Sequence, residues 1–211
     1  MKKLIYYIMS LIEHKLEDEI LKVLKKEKKL TVFDVGCYRG VFTKKILKFV
    51  GKKKIKFYLF DVNKNVKKYI LNILKLKNVN FHEIALHNKN GKALYHYNSF
   101  FDCSGSSLSS LIANDKKWIL SRKILLKMLF LSTKDFVKYE VPTITLDSFV
   151  KRNNIKLIDI LKIDIDGSEY QMLQGAKNTL KNNKVKIILT EIADKKDSYE
   201  MKEKKILNYL K

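Results

Sequence analysis

The chain of 211 residues carries one proline, seven glycines and two cysteines, and only three of its 44 basic residues are arginine. So little proline and glycine excludes collagen-like and Pro/Gly-rich low-complexity chains. Cys37 and Cys103 show no CxxC spacing and no nearby histidine cluster, which indicates neither a disulfide framework nor a structural zinc site. No apolar run approaches the ~18 residues that cross a bilayer. A hydrophobic fraction of 46 % excludes wholesale disorder, although 31 % of the residues are charged. These absences leave one soluble α/β or α+β domain.

The formal charge of +22 does not by itself indicate a nucleic-acid partner. Bidentate contacts to guanine and phosphate favour arginine, and here Arg39, Arg122 and Arg152 stand among lysines spread along the whole chain. The excess is read as solvation and compositional bias, so no specific nucleic acid is expected. Residues 1–29 are predicted as an N-terminal amphipathic helix with Ile5, Ile8, Ile12 and Leu16 near one face. The short apolar run lacks a small-residue cleavage site, which separates it from a signal peptide and points to the cytoplasm. Peripheral membrane contact through this helix, or through the lysine-rich apolar segment 116–131, is an accessory reading.

Beyond residue 30, strand and helix periods alternate. Residues 30–35, 56–60 and 79–86 read as strands, with helices over 41–50 and 65–75 between them. An added strand is expected at 92–97, an insertion over about 99–140, and a further strand at 141–146. A strand at 158–165, a helix over 168–180, a strand at 185–191 and a terminal helix from about 197 restore the alternation. Such spacing implies a mainly parallel sheet with helices on both faces, in one domain over 30–211. No strand pattern follows Glu191, so 185–191 is expected at an edge of a five-stranded parallel core, with the terminal helix packed near it.

The first strand runs into Asp34-Val35-Gly36-Cys37-Tyr38-Arg39-Gly40, a D-x-G-x-x-x-G turn before a helix. Gly36 permits a tight turn, and Gly40 permits close helix packing or ligand approach. Asp61 ends the second strand, where a carboxylate can accept hydrogen bonds from both hydroxyls of a ribose. A dinucleotide fingerprint needs a further glycine in this turn. Its absence points to a nucleoside without a diphosphate, which suits S-adenosylmethionine; an ordinary β–α turn is the alternative.

A second block, Leu161-Lys162-Ile163-Asp164-Ile165-Asp166-Gly167-Ser168-Glu169-Tyr170-Gln171-Met172-Leu173-Gln174-Gly175-Ala176, gathers three carboxylates where a strand ends and a helix begins. It resembles the LKIDVEGxExxVLxGA block of the FkbM-type methyltransferase family. Further matches are the DVGCYRG loop, Asp61 in FDVN (where the family usually has Glu-Pro), Glu83-Ile84-Ala85-Leu86 and Ser106-Ser107-Leu108. Residues 141–147 and Ile188-Leu189-Thr190-Glu191 complete the series, in family order over about 30–192. The resemblance implies a Rossmann-like class I methyltransferase fold, here lacking the C-terminal antiparallel hairpin. It also implies bound S-adenosylmethionine and methyl transfer to a hydroxyl of a sugar, glycan precursor or small metabolite. Carried onto this chain, it implies cofactor binding by Asp34, Gly36, Cys37, Gly40 and Asp61, with adenine recognised by backbone groups around Ala85 and Leu86.

A sugar hydroxyl is a weak nucleophile, so a base that takes its proton as the bond forms assists the reaction. Asp164 is the first candidate. Asp166 and Glu169 crowd it with like charge, which can raise one carboxyl pKa, but their spacing is equally that of a capping box. His87, just after the third strand, is a further base candidate, whereas His82 and His96 read as ordinary strand residues. Oxygen ligands at Asp164 and Asp166 would also suit magnesium, a minor reading, and no metal site is assigned. The competing function is a methyltransferase-like binding module that docks nucleic acid or an anionic membrane. Segment 116–131 would be its contact surface, or in an enzyme the lid over the acceptor.

Overall fold

The computed structural model describes residues 5–9, 29–50, 54–97, 120, 124, 127–128, 137–191 and 200–210. Its main sheet has six strands, all parallel to their neighbours, in the order β1-β9-β8-β2-β3-β4. They are β1 (Ile5–Met9), β2 (Lys29–Val35), β3 (Lys54–Phe60), β4 (Val79–His82), β8 (Ile158–Ile163) and β9 (Val185–Glu191). A second, three-stranded sheet, β5-β7-β6, is formed by β5 (Ala85–Leu86), β6 (Gly91–Tyr97) and β7 (Val137–Ile144). The helices described from end to end are α1 (Val41–Val50), α2 (Val66–Leu74), α3 (Leu146–Arg152), α4 (Glu169–Gln174), α5 (Lys177–Lys181) and α6 (Glu200–Leu210). The fold is Rossmann-like. Among the described residues no strand follows β9, and no helix is long and apolar enough to cross a membrane.

Central strands of a parallel sheet are covered on both faces and therefore run almost wholly apolar. In β2 and β3 the two faces alternate. Leu30, Val32, Ile55, Phe57 and Leu59 join one core with Phe42 and Ile46 of α1 and Val66, Ile70 and Ile73 of α2. Phe33, Val35, Tyr58 and Phe60 join the opposite core with residues of α3, α4 and α6. α1 buries Phe42 and Ile46 at i, i+4 spacing, and α2 buries Val66, Ile70 and Ile73 at i, i+4, i+7.

Several expectations need correction. Residues 5–9 form a strand, not part of a helix; residues 10–28, the rest of the expected helix, lie outside the described residues. In consequence β9 is not an edge, and the parallel core has six strands rather than the expected five. Its backbone pairs with β1 from Ile5↔Ile187 to Met9↔Glu191, and the aromatic and β-branched run Ile5-Tyr6-Tyr7-Ile8 suits that place. The terminal helix α6 packs against α4, with Ile206 buried and the Tyr209 ring 5.8 Å from that of Tyr170.

The expected third strand, 79–86, divides between the two sheets at Glu83–Ile84. The expected helix over 168–180 divides at Gly175–Ala176. Asp147 of α3 causes this second break. Its backbone N–H donates to the Gly175 carbonyl, while its carboxylate accepts from the N–H groups of Asn178 and Thr179 and from the Thr179 hydroxyl. The i→i−4 bond from Thr179 to Gly175 is thereby replaced from outside the helix. The inserted region, 99–140, lies mostly outside the described residues, as do Cys103 and Ser106–Leu108.

Candidate active site

Strand order reverses around β2, which has β3 on one side and β8 on the other. In open parallel sheets such a switch point leaves a crevice at the carboxyl ends of the strands. The register defines what stands there. Val35 pairs with both Phe60 and Ile163, so the next residues, Asp61, Gly36 and Asp164, form a level row across β3, β2 and β8. Adjacent strands are about 4.8 Å apart, which puts the two aspartates roughly 10 Å apart across Gly36.

The glycine loop is braced on three sides. Gly36 (φ +73°) and Cys37 both donate to the Phe60 carbonyl. The Tyr38 N–H donates to Asp61 Oδ2 at 2.9 Å, and Asn63 N–H donates to Asp61 Oδ1 at 2.9 Å. Asp61 thus holds the loop in place and keeps unused lone pairs on both oxygens. Burial pushes its carboxyl up, against the pull of those two amides. Gly40 (φ +65°) faces Ile70 and Ile73 of α2, so of its two sequence readings the structure supports helix packing. Cys37 is buried in the α1/α2 core, and burial, followed by Asp34 and Asp61, pushes its thiol well up.

A charge cluster lies behind this row. Asp34 is fully buried, accepts from the Thr43 hydroxyl at 2.7 Å, and sits 3.3 Å from the ammonium of Lys162, its register partner on β8. Burial raises the Asp34 carboxyl, while Lys162 and Thr43 pull it back. Lys162 Nζ also donates to the Gly36 carbonyl at 2.8 Å and pairs with Asp164 Oδ2 at 3.1 Å. Burial alone would lower Lys162; Asp34 and Asp164 more than reverse this and hold it above the ordinary lysine value. Sequence reasoning missed Lys162, although a lysine inside the apolar strand Ile160-Leu161-Lys162-Ile163 is itself a signal.

Of the carboxylate block, Asp164 occupies the crevice. Its side chain is 45 % exposed, and Oδ1 has no partner among the described residues. Glu169 is buried and reaches back, its Oε1 accepting from the N–H groups of Ile165 and Gly167. The N-cap residue is Ser168, not Asp166, so Glu169 ties down the turn from the first helical position rather than as the third residue of the expected capping box. Asp166 (φ +48°) and Gly167 (φ +99°) make the left-handed turn itself. His87 is placed away from this group, its carbonyl backed against Gly175 at the far end of α4, and burial lowers its pKa. Ala85 and Leu86 belong to the second sheet, where Leu86 is buried in the α3/α4 core. Among the described residues, no three His, Cys, Asp or Glu side chains converge as metal ligands.

A cavity of about 760 Å³ lies at the opposite ends of the strands, walled in part by Lys29, Lys56, Tyr58, Lys156 and Lys186. Lys186 there pairs with buried Asp159 at 2.6 Å. In a chain this rich in lysine, that lining does not single it out. Of the segment 116–131, the described residues Leu120, Ile124, Lys127 and Met128 are helical, and the three apolar ones are 52–73 % exposed.

The sequence is similar to the 2-O-methyltransferase NoeI of Sinorhizobium fredii (strain NBRC 101917 / NGR234), with 24 % identity over 185 residues covering 85 % of this chain and 70 % of that protein. Its structure is similar to the crystal structure of Methyltransferase FkbM from Methylobacillus flagellatus KT, with a TM-score of 0.47 and 14 % identity over 78 % of this chain. The chain spans 32 % of that larger one. The sequence profile of the Methyltransferase FkbM domain matches residues 34–211, from Asp34 at the end of β2 through α6, and the chain belongs to that methyltransferase family.

Proposed function

We propose that this chain uses S-adenosylmethionine to methylate a hydroxyl group of a sugar, glycan precursor or small metabolite. The observation that carries the reading is the level row Asp61–Gly36–Asp164 at the sheet's switch point. A left-handed glycine turn beside a carboxylate with spare acceptor capacity fits a nucleoside. Three carboxylates, Asp34, Asp61 and Asp164, against the single ammonium of Lys162 fit a cation in the crevice. Membership of a methyltransferase family and the likeness to a 2-O-methyltransferase support transfer to oxygen.

When bound, S-adenosylmethionine supplies a methyl group on a sulfonium that is already a good leaving group. The chain supplies placement and proton handling. In this reading Asp61 accepts hydrogen bonds from the ribose, and Asp164 Oδ1 accepts the acceptor hydroxyl's proton as the new bond forms. Calorimetry with S-adenosylmethionine and S-adenosylhomocysteine tests the first part. Mass spectrometry of oligosaccharides incubated with protein and S-adenosylmethionine tests the second, by the gain of one methyl group. A parent protein that binds neither nucleoside at saturating concentration would refute the proposal.

A further inference from the structure

Lys162 is the one charged residue in β8 beside Asp159, and it has no access to bulk water comparable with a surface lysine: its side chain is 14 % exposed. Burying an ammonium is costly unless it is paired and its donors are used. A bare structural pair would need only Asp34. Here the same nitrogen makes two more contacts, to the Gly36 carbonyl and to Asp164 Oδ2. These two lie on different strands, β2's exit and β8's exit, and both belong to the level row of the crevice.

We infer that Lys162 is the positioning residue of this site: one ammonium pins the glycine loop, through the Gly36 carbonyl, and the Asp164 carboxylate to a common point. The inference rests on the proposed function above for its meaning in catalysis. One Asp164 oxygen is held inward by Lys162, which leaves Oδ1 turned to the acceptor. Two carboxylates flank the ammonium, Asp34 from the buried side and Asp164 from the crevice, so the trio keeps one net negative charge and does not repel a sulfonium. A lone lysine at this place would do the reverse.

Lys162→Met alone would leave Asp34 buried and unpaired and can fail to fold. The decisive variant is therefore the double Asp34→Asn/Lys162→Met, in which the buried pair is neutralised together, compared with Asp34→Asn alone. Each is measured for urea unfolding, for amide hydrogen exchange at Gly36 and Cys37, and by calorimetry with S-adenosylmethionine. The expected result is stability close to that of Asp34→Asn, with exchange at both amides at least about tenfold faster and affinity about tenfold weaker, the range of one charged hydrogen bond. If Lys162 only neutralises Asp34, the double variant exchanges and binds like Asp34→Asn, and the inference is overturned. Should the parent bind no S-adenosylmethionine, the proposed function fails by itself. Amide exchange then decides this inference: unchanged exchange overturns it and faster exchange supports it.

Discussion

Gly36 and Asp164 meet backbone to backbone: a Cβ on Gly36 would run into the Asp164 carbonyl oxygen. The Asp164 N–H in turn donates to the Val35 carbonyl at 3.0 Å. The glycine loop and the carboxylate proposed to act on the acceptor are thus one packed unit, and neither can shift without the other.

Gly36→Ala tests that unit. The position has φ +73° and no space for a methyl group. Left-handed backbone costs a non-glycine residue of order 1–3 kcal/mol, and the clash adds to it. A loss of at least about 2 kcal/mol in urea unfolding is expected, with nucleoside binding abolished in the folded fraction. An alanine variant of parental stability would show that the close approach is not a constraint.

Asp61→Ala should weaken S-adenosylmethionine binding by about 1.5–3 kcal/mol, the range for hydrogen bonds to a charged group. Because Asp61 also accepts from Tyr38 and Asn63, some stability is lost as well. Calorimetry on the folded protein separates the two effects. Unaltered affinity would remove Asp61 from the ribose site.

For Asp164→Asn, the shape is kept and the proton acceptor is removed. Methyl transfer is expected to slow by about a hundredfold or more, the usual contribution of a positioned base, while S-adenosylmethionine affinity changes only a few-fold. The measurement is single-turnover methylation of whichever oligosaccharide the parent methylates. A parental rate would assign the proton to another group.

Acid sensitivity follows from the histidines. Burial lowers the pKa of His82, His87 and His96 below the ordinary value, so the fold favours their neutral forms. Below about pH 6.5 the unfolded chain takes up protons that the folded chain resists, so their contribution is complete above that pH and falls as pH drops through it. His82 stacks on Phe60 at 5.3 Å, and its Nε2 is buried without a hydrogen-bond partner among the described residues. His82→Phe should fit the same stack and reduce the loss of urea stability between about pH 7.5 and pH 5.5. An unchanged pH difference would exclude His82 as a source.

Much of this protein could be read along the chain. The alternation of β2, α1, β3, α2 and later β8, α4, β9 follows from periodicity, which is a property of neighbouring residues. The strand-end places of Gly36, Asp61 and Asp164 follow from the same local pattern. What the chain alone did not disclose depends on pairing between distant segments. Residues 5–9 have the spacing of a helix, yet the open backbone groups of β9 recruit them as a strand. The helix beyond Ser168 breaks because Asp147, far upstream, takes over the bonds at Gly175, Asn178 and Thr179. Lys162 stands beside Asp34 only because β2 and β8 pair in that register. Local periodicity decides which residues form strands and helices; the need to satisfy backbone groups and buried charge across the fold decides which of them meet.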